Sequence, residues 1–396
     1  MNPSASGWIN KFGHLVDKET SPFEDFNALY RELKQNGFIY GVHLNISSFI
    51  EVEHALSEDE IAKINLLTAL YFTYSFEVGK TDFDAFVNKV FDYYQSLDVS
   101  RISFLNKILT GSKTESQLEK LIDSRIYLSD NTFSRALGNS LTNSLLYVDI
   151  LIFMIYLRGN KNMMEHAQIL EYVTINIVYH ALNSKETHES DAKLIQLLGS
   201  SLTYVDLDEA HFDGNYSDLL KQNFTSNEKD YFLDMACLTI WEDKTLDYTE
   251  TDYIFGLGND LGKSKKDIEF ELEFVKNFFE QNKEKISYLN NKNLAVQFYD
   301  GMSKNVSKLI LRNSKRLKKE LTESRELVAL LSKSTVKDLS SEEKKKVQNQ
   351  LLDIFKSIPS LAIFMLPGGA ILLPIFIKLI PKLLPSAFDD NRVEEN

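Results

Sequence analysis

The chain has 396 residues, a formal charge of −13 and one cysteine, Cys237. Its length allows two or three domains and a large core, while a lone cysteine excludes an internal disulfide and a cysteine-rich zinc site. The charge is uneven: seventeen Lys/Arg against eleven Asp/Glu from Lys304 to Asn396 give that part +6, which leaves −19 on the first 303 residues. An acidic body repels nucleic-acid phosphates and argues against DNA as a partner, whereas a basic C-terminal part suits an anionic surface.

The first residues, MNPSASGWINKFGHLV, lack a basic segment followed by an apolar one, so a signal peptide is not expected. No proline occurs between Phe23 and Ile358, where average usage of about 5% would give roughly seventeen. Long helices tolerate few prolines. Apolar residues also recur at three and four, as in Ile61, Ile64, Leu67, Leu70 and Tyr71, so the spacing predicts an all-α, multi-helical body.

Residues 1–190 read as an N-terminal helical domain, with helices over Phe23 to Gln35, Ser57 to Phe76 and Asp82 to Ser96. Ser57 and Glu60 are spaced as a capping box. Phe38 to Ile50 is β-prone but short, and is the best candidate for a strand. Tyr147 to Leu157 is apolar with Asp149 inside it, and at about eleven residues it is too short to span a bilayer, so it reads as a core helix.

Residues 191–290 form a second helical unit. Asn227 to Trp241 is amphipathic, an acidic link containing Asp243, Asp247 and Glu250 follows, and Tyr253 to Leu261 is helical again. Gly262 has the place of a left-handed helix terminus, and Ser264 with Asp267 that of the next start. The order of helix, acidic turn and helix ending in LG resembles the TerB-like (tellurite-resistance B type) domains over about 60 residues. In that resemblance Lys244 stands where the family's turn has glycine, so no metal or other cofactor is expected, and Asp243, Asp247 and Glu250 are the weak candidates for one.

Other chemistry fails on spacing. Around Gly256, Gly258, Gly262, Lys263 and Ser264, a Walker loop would need glycine at Leu257 and a dinucleotide fingerprint would need it at Leu261. The seven histidines form no HExxH and no pair at helical metal-binding spacing. No nucleophile elbow, kinase set or Cys/His arrangement appears, and the chain reads as a non-enzyme.

Residues 291–396 begin with a basic helix. Lys304, Lys308, Arg312, Lys315, Arg316 and Lys319 occur without an acidic residue from Lys304 to Lys319, opposite Val306, Ile310, Leu317 and Leu321. Such a face is solvated against an acidic body, directed at anionic lipid or, as a third reading, in contact with RNA. Ser340 and Glu343 then mark a capping box, followed by a lysine-bearing lead and an apolar run of 23 residues from Ile358 to Ile380. A straight helix of that length reaches about 34 Å at ~1.5 Å per residue, against a hydrocarbon core of about 30 Å. Five of the seven prolines lie here: Pro359, Pro367, Pro374, Pro381 and Pro385.

These prolines, with Gly368, Gly369, Leu372, Leu373, Lys378, Leu384 and Phe388 in register, resemble the membrane segment of the LETM family, and still more its bacterial biofilm-associated relatives. The resemblance implies a membrane segment shaped by the prolines and glycines, with Lys378 and Lys382 reaching to headgroups. If Ile358 to Ile380 spans a membrane, the lysines before it hold a cytoplasmic body at the inner membrane, with membrane lipid as the partner. Mitochondrial members carry an acidic residue at the position of Ala370 and continue into a ribosome-binding domain, whereas this sequence ends eight residues after Phe388. Cation homeostasis and ribosome binding are therefore weaker implications. A rival expectation, a soluble scaffold, folds Pro367, Gly368 and Gly369 into a turn, which makes two apolar helices each too short to cross a bilayer and buries them in the body.

Overall fold

Side chains that close a helix's first turn onto itself set where four of the described helices start. In the computed structural model, the expected capping boxes at Ser57 with Glu60, Ser264 with Asp267 and Ser340 with Glu343 all form, and a fourth joins Thr225 to Glu228. The structure describes residues 1–17, 21–79, 82–97, 113–126, 146–159, 162–184, 189–202, 216–220, 224–241, 248–286, 294–337, 339–365 and 369–389. Among them the fold is all-α, with no strand.

The N-terminal helices are α1 (Trp8–Val16), α2 (Phe26–Gln35), α3 (Glu58–Val78), α4 (Phe83–Ser96), α5 (Glu115–Ile126) and α6 (Leu146–Leu157). They gather around α3, which packs on α2, α4, α5 and α6. The apolar α6 is buried from Leu146 to Ile155, as its length and its internal aspartate imply. Phe38 to Ile50 forms turns instead of the candidate strand. Gly37 and Gly41 adopt φ of 84° and 67°, and Val42 N–H donates back to the Gly37 carbonyl at 3.1 Å, so the backbone bonds within itself. A side chain at Gly37 would put its Cβ 2.1 Å from the Val42 oxygen, so only glycine fits.

The middle of the chain supplies α7 (Met163–Ser184), α8 (Glu189–Leu202), α9 (Tyr216–Leu220), α10 (Ser226–Ile240), α11 (Tyr248–Asp260) and α12 (Lys265–Asn282). Gly262 takes the expected left-handed conformation at φ 74°, with Lys263 N–H bonded to the Gly258 carbonyl at 2.8 Å. Helix α7 is central, packing on α6, α8, α10 and α11. From α8 the packing passes to the C-terminal helices α13 (Leu294–Arg312), α14 (Ser314–Glu323), α15 (Arg325–Ser334), α16 (Ser341–Ser357), α17 (Leu373–Leu383) and α18 (Ser386–Asp389).

Two buried charge clusters pin the helices together. Arg125 on α5 donates to Asp149 on α6 through Nε at 2.6 Å and Nη2 at 2.8 Å, and Tyr94 on α4 donates to the same carboxylate at 2.7 Å. Burial disfavours the guanidinium's charge, but the Asp149 carboxylate outweighs it and raises the Arg125 pKa. Lys34 on α2 meets Asp234 on α10 at 2.8 Å and also contacts Glu271 on α12, while Tyr30 donates to Asp234 at 2.5 Å. Burial and the adjacent Asp234 push the Glu271 carboxyl up to about 7.

Asp149→Ala strands a buried guanidinium and is expected to cost about 3–5 kcal/mol in urea unfolding, and a loss below about 1 kcal/mol would refute the cluster's role. Glu271 holds its proton more tightly folded than unfolded, so its contribution to stability falls as pH rises from the ordinary 4.5 through 7. Comparing urea midpoints of the native chain and Glu271→Gln across that window checks the sign: the substitution should remove part of the decline.

Candidate functional site

The C-terminal module is built around the interruption of its apolar run. Helix α16 buries Val347, Leu351, Ile354 and Phe355 along one face and ends at Ser357, because Ile358 precedes proline and takes an extended conformation at φ −116°, ψ 105°. A first 3-10 segment runs over Pro359–Met365 and a second over Ala370–Leu372, leading into α17 with Pro374 in its first turn. Proline is accommodated there, since that turn's N–H groups have no partner in the helix.

The two 3-10 segments and α17 fold back on the body. The first segment packs on α16, the second on α8, and α17 on α8, α13 and α15. Phe355, Phe364 and Phe376 form a triangle with ring centroids 4.6, 5.0 and 5.1 Å apart. Leu361, Ile371, Phe376 and Ile380 are completely buried, and Ser201 Oγ on α8 donates to the Ile371 carbonyl at 3.3 Å.

This corrects the expectation of one membrane-length helix from Ile358 to Ile380. Among the described residues no helix is long and apolar enough to cross a membrane. The physical cause is the proline spacing: an interior proline costs a helix about 3 kcal/mol, and the path here breaks before Pro359 and restarts with Pro374 in a first turn while burying Leu361, Phe364, Ile371 and Phe376. The rival expectation of two short, buried helices is met in part: the second is α17, whereas the first half is a 3-10 segment over Pro359–Met365, and a second 3-10 segment precedes α17. Its proposed turn is only partly in view, because Pro367 and Gly368 lie outside the described residues while Gly369 is buried. Pro381 sits inside α17 and Pro385 begins the turn into α18, where Phe388 N–H donates to the Pro385 carbonyl at 2.9 Å.

The basic stretch is also interrupted. Expected as continuous, it breaks at Asn313 between α13 and α14, where the Asn313 side chain donates to the Leu309 carbonyl at 2.7 Å and accepts from Ser360 at 3.0 Å. Val306, Ile310, Leu317 and Leu321 are buried as the spacing predicts, with Lys304, Arg312, Lys315, Arg316 and Lys319 exposed and Lys308 half-buried. Asp243 and Asp247 lie outside the described residues, and Glu250 falls in α11 with its side chain outside the description. Among the described residues no group of three His, Cys, Asp or Glu is placed to hold a metal.

Sequence reasoning missed a cleft of about 330 Å³ between α8 and the module. Lys193 of α8, Lys337 beyond α15, Lys344 of α16 and Lys378 with Lys382 of α17 line it, and no described lining residue is a carboxylate. Lys378 and Lys382 stand one turn apart, which the sequence shows. Lys193 joins them only through the packing of α8 on α17, which it does not show.

A chain ending at Lys356 tests the interior placement. Its loss uncovers apolar surface on α8, α13 and α16, so the truncated protein is expected to aggregate or to expose dye-binding surface, whereas a shed membrane anchor would leave a well-behaved body. Phe376→Ala is likewise expected to cost about 3–5 kcal/mol.

No curated protein and no solved structure matches this chain. Residues 339–396 match the family model described as LETM1-like, RBD, so the likeness to the LETM family holds over this C-terminal segment; the match falls on the residues expected to be the family's membrane segment, which corrects the expectation that the sequence ends before that domain.

Proposed function

We propose that this is a non-enzymatic, LETM-like helical protein that associates with the ribosome through its C-terminal module. The observation that carries the reading is the interior position of the apolar run: with its apolar side chains spent on the core, the segment presents lysines outward. The matched model's name, in which RBD denotes a ribosome-binding domain, supplies the partner class, and ribosomal RNA is a polyanion suited to a basic surface. The exposed cations of α13 and α14 extend that surface, with Lys315, Arg316 and Lys319 on α14.

The acidic body then serves as the scaffold. Its 191–290 region is read as TerB-like, supported by the helix end at Gly262 and the capped restart at Ser264. Cation transport and biofilm association, which the family resemblance also implies, draw on no feature of this fold and form no part of the reading. A lipid surface is the competing partner for the same cations, approached from the side and without a span.

Co-sedimentation with ribosomes tests the proposal, alongside flotation with vesicles rich in anionic lipid. The full chain is expected to pellet with ribosomes, less so as salt rises from about 50 to 200 mM, and Lys315→Glu/Arg316→Glu/Lys319→Glu is expected to abolish most of the pelleting. Flotation with vesicles and no pelleting with ribosomes would transfer the function to the membrane surface and overturn this reading.

A further inference from the structure

We propose that the turns over residues 36–47 are seated on α3 through an interior binding site for a short chain of water molecules, lined by Asn36, His43, Ser47, Asn65 and Thr68. The inference is independent of ribosome association. It rests on a gathering of buried polar atoms that no protein group satisfies.

Six such atoms lie in this one stretch: Asn36 Nδ2, His43 Nδ1 and Nε2, Ser47 Oγ, Asn65 Oδ1 and Thr68 Oγ1. The five side chains are deeply buried, none more than 6% exposed. A buried polar atom that leaves bulk water and finds no partner carries its full desolvation penalty, so folded proteins pair nearly all of them. One unpaired hydroxyl is a local defect. Six atoms together call for a common partner.

Printed contacts of backbone and ring bring them into one seam. The Asn36 carbonyl accepts from the Leu44 N–H at 3.2 Å, which sets Asn36 beside the chain at His43. Asn65 Nδ2 donates to the Asn45 carbonyl at 2.9 Å, and the Phe49 ring meets that of Phe72 at 5.8 Å between centroids. Residues 45–49 therefore run along α3 from Asn65 towards Phe72, with Ser47 midway. Thr68, three residues after Asn65 and four before Phe72, lies on that same face of α3.

The chemistry of the six atoms selects the occupant. Asn36 Nδ2 only donates, Asn65 Oδ1 only accepts, and the Ser47 and Thr68 hydroxyls do either. Burial pushes the His43 pKa down to about 3, so the ring is neutral and offers one donor and one acceptor. None of the five side chains carries a charge to compensate a buried ion. Water is small, neutral and both donor and acceptor. A buried water typically makes about three hydrogen bonds, so six atoms suit about two or three molecules that also bond one another. Tyr40, carried by the same turns, donates to Asp234 at 3.4 Å, so the waters also help to hold the turns that reach the Lys34 cluster.

A high-resolution crystal structure of the full chain tests the assignment, with Thr68→Val and Ser47→Ala as probes in urea unfolding. Ordered water is expected within about 2.7–3.2 Å of Ser47 Oγ, Asn65 Oδ1 and Thr68 Oγ1. Thr68→Val keeps the shape of the side chain and removes a partner of the water, so the urea midpoint is expected to fall, and Ser47→Ala is expected to lower it likewise. A hydroxyl with no partner at all would give the opposite sign, because its removal lifts a buried penalty and raises the midpoint. Near-ultraviolet circular dichroism checks that each variant folds, and if one does not, the other variant and the crystal structure decide. The proposal is overturned if the seam shows no ordered water, or if a folded variant keeps or raises the native midpoint.

Discussion

The C-terminal third depends on where the side chains of Leu361, Phe364, Ile371, Phe376 and Ile380 go. Each contributes about 1.5–3 kcal/mol when taken out of water, so five of them supply on the order of 10 kcal/mol before entropy is charged against them. That is comparable with the whole net stability of a typical folded domain, about 5–15 kcal/mol. Such a term dominates whatever path the chain takes through this region. Its prolines select the path: α16 stops before Pro359, α17 starts with Pro374 in its first turn, and the apolar residues between them reach the interior through short 3-10 segments.

That burial has an electrostatic consequence. Once the apolar side chains face inward, the polar positions of the same elements face outward, and in α17 those positions are Lys378 and Lys382. The contrast with the body is sharp. There the decisive charges are interior and paired, with Arg125 on Asp149 and Lys34 between Asp234 and Glu271. Interior pairs lock one helix arrangement because leaving either partner alone is costly. Exterior charges contribute little to stability.

The parts legible in the sequence were the local ones. Capping boxes at Ser57, Ser264 and Ser340 are closed by residues three apart, so spacing alone reveals them, and the left-handed end at Gly262 follows from glycine's lack of a Cβ. The inward face of Val306, Ile310, Leu317 and Leu321 followed from helical periodicity. Less legible was the fate of the apolar run, because hydropathy measures how strongly side chains avoid water and not which apolar environment receives them. Lipid and a protein core look alike on that scale. The cleft could not be read at all, since Lys193 is separated in sequence from Lys378 and meets it only through tertiary packing. Phe38 to Ile50 failed for a different reason: β-prone side chains were present, but glycines at 37 and 41 turned the backbone onto itself.

Amide hydrogen exchange over Leu373–Leu383, measured on the full chain in aqueous buffer without detergent or lipid, tests the central claim most directly. If these residues belong to the interior, their amides exchange as slowly as those of the central helix α7. Rapid exchange in buffer that becomes slow only when vesicles are added would show that this segment finds its partner in the bilayer, and would contradict the account.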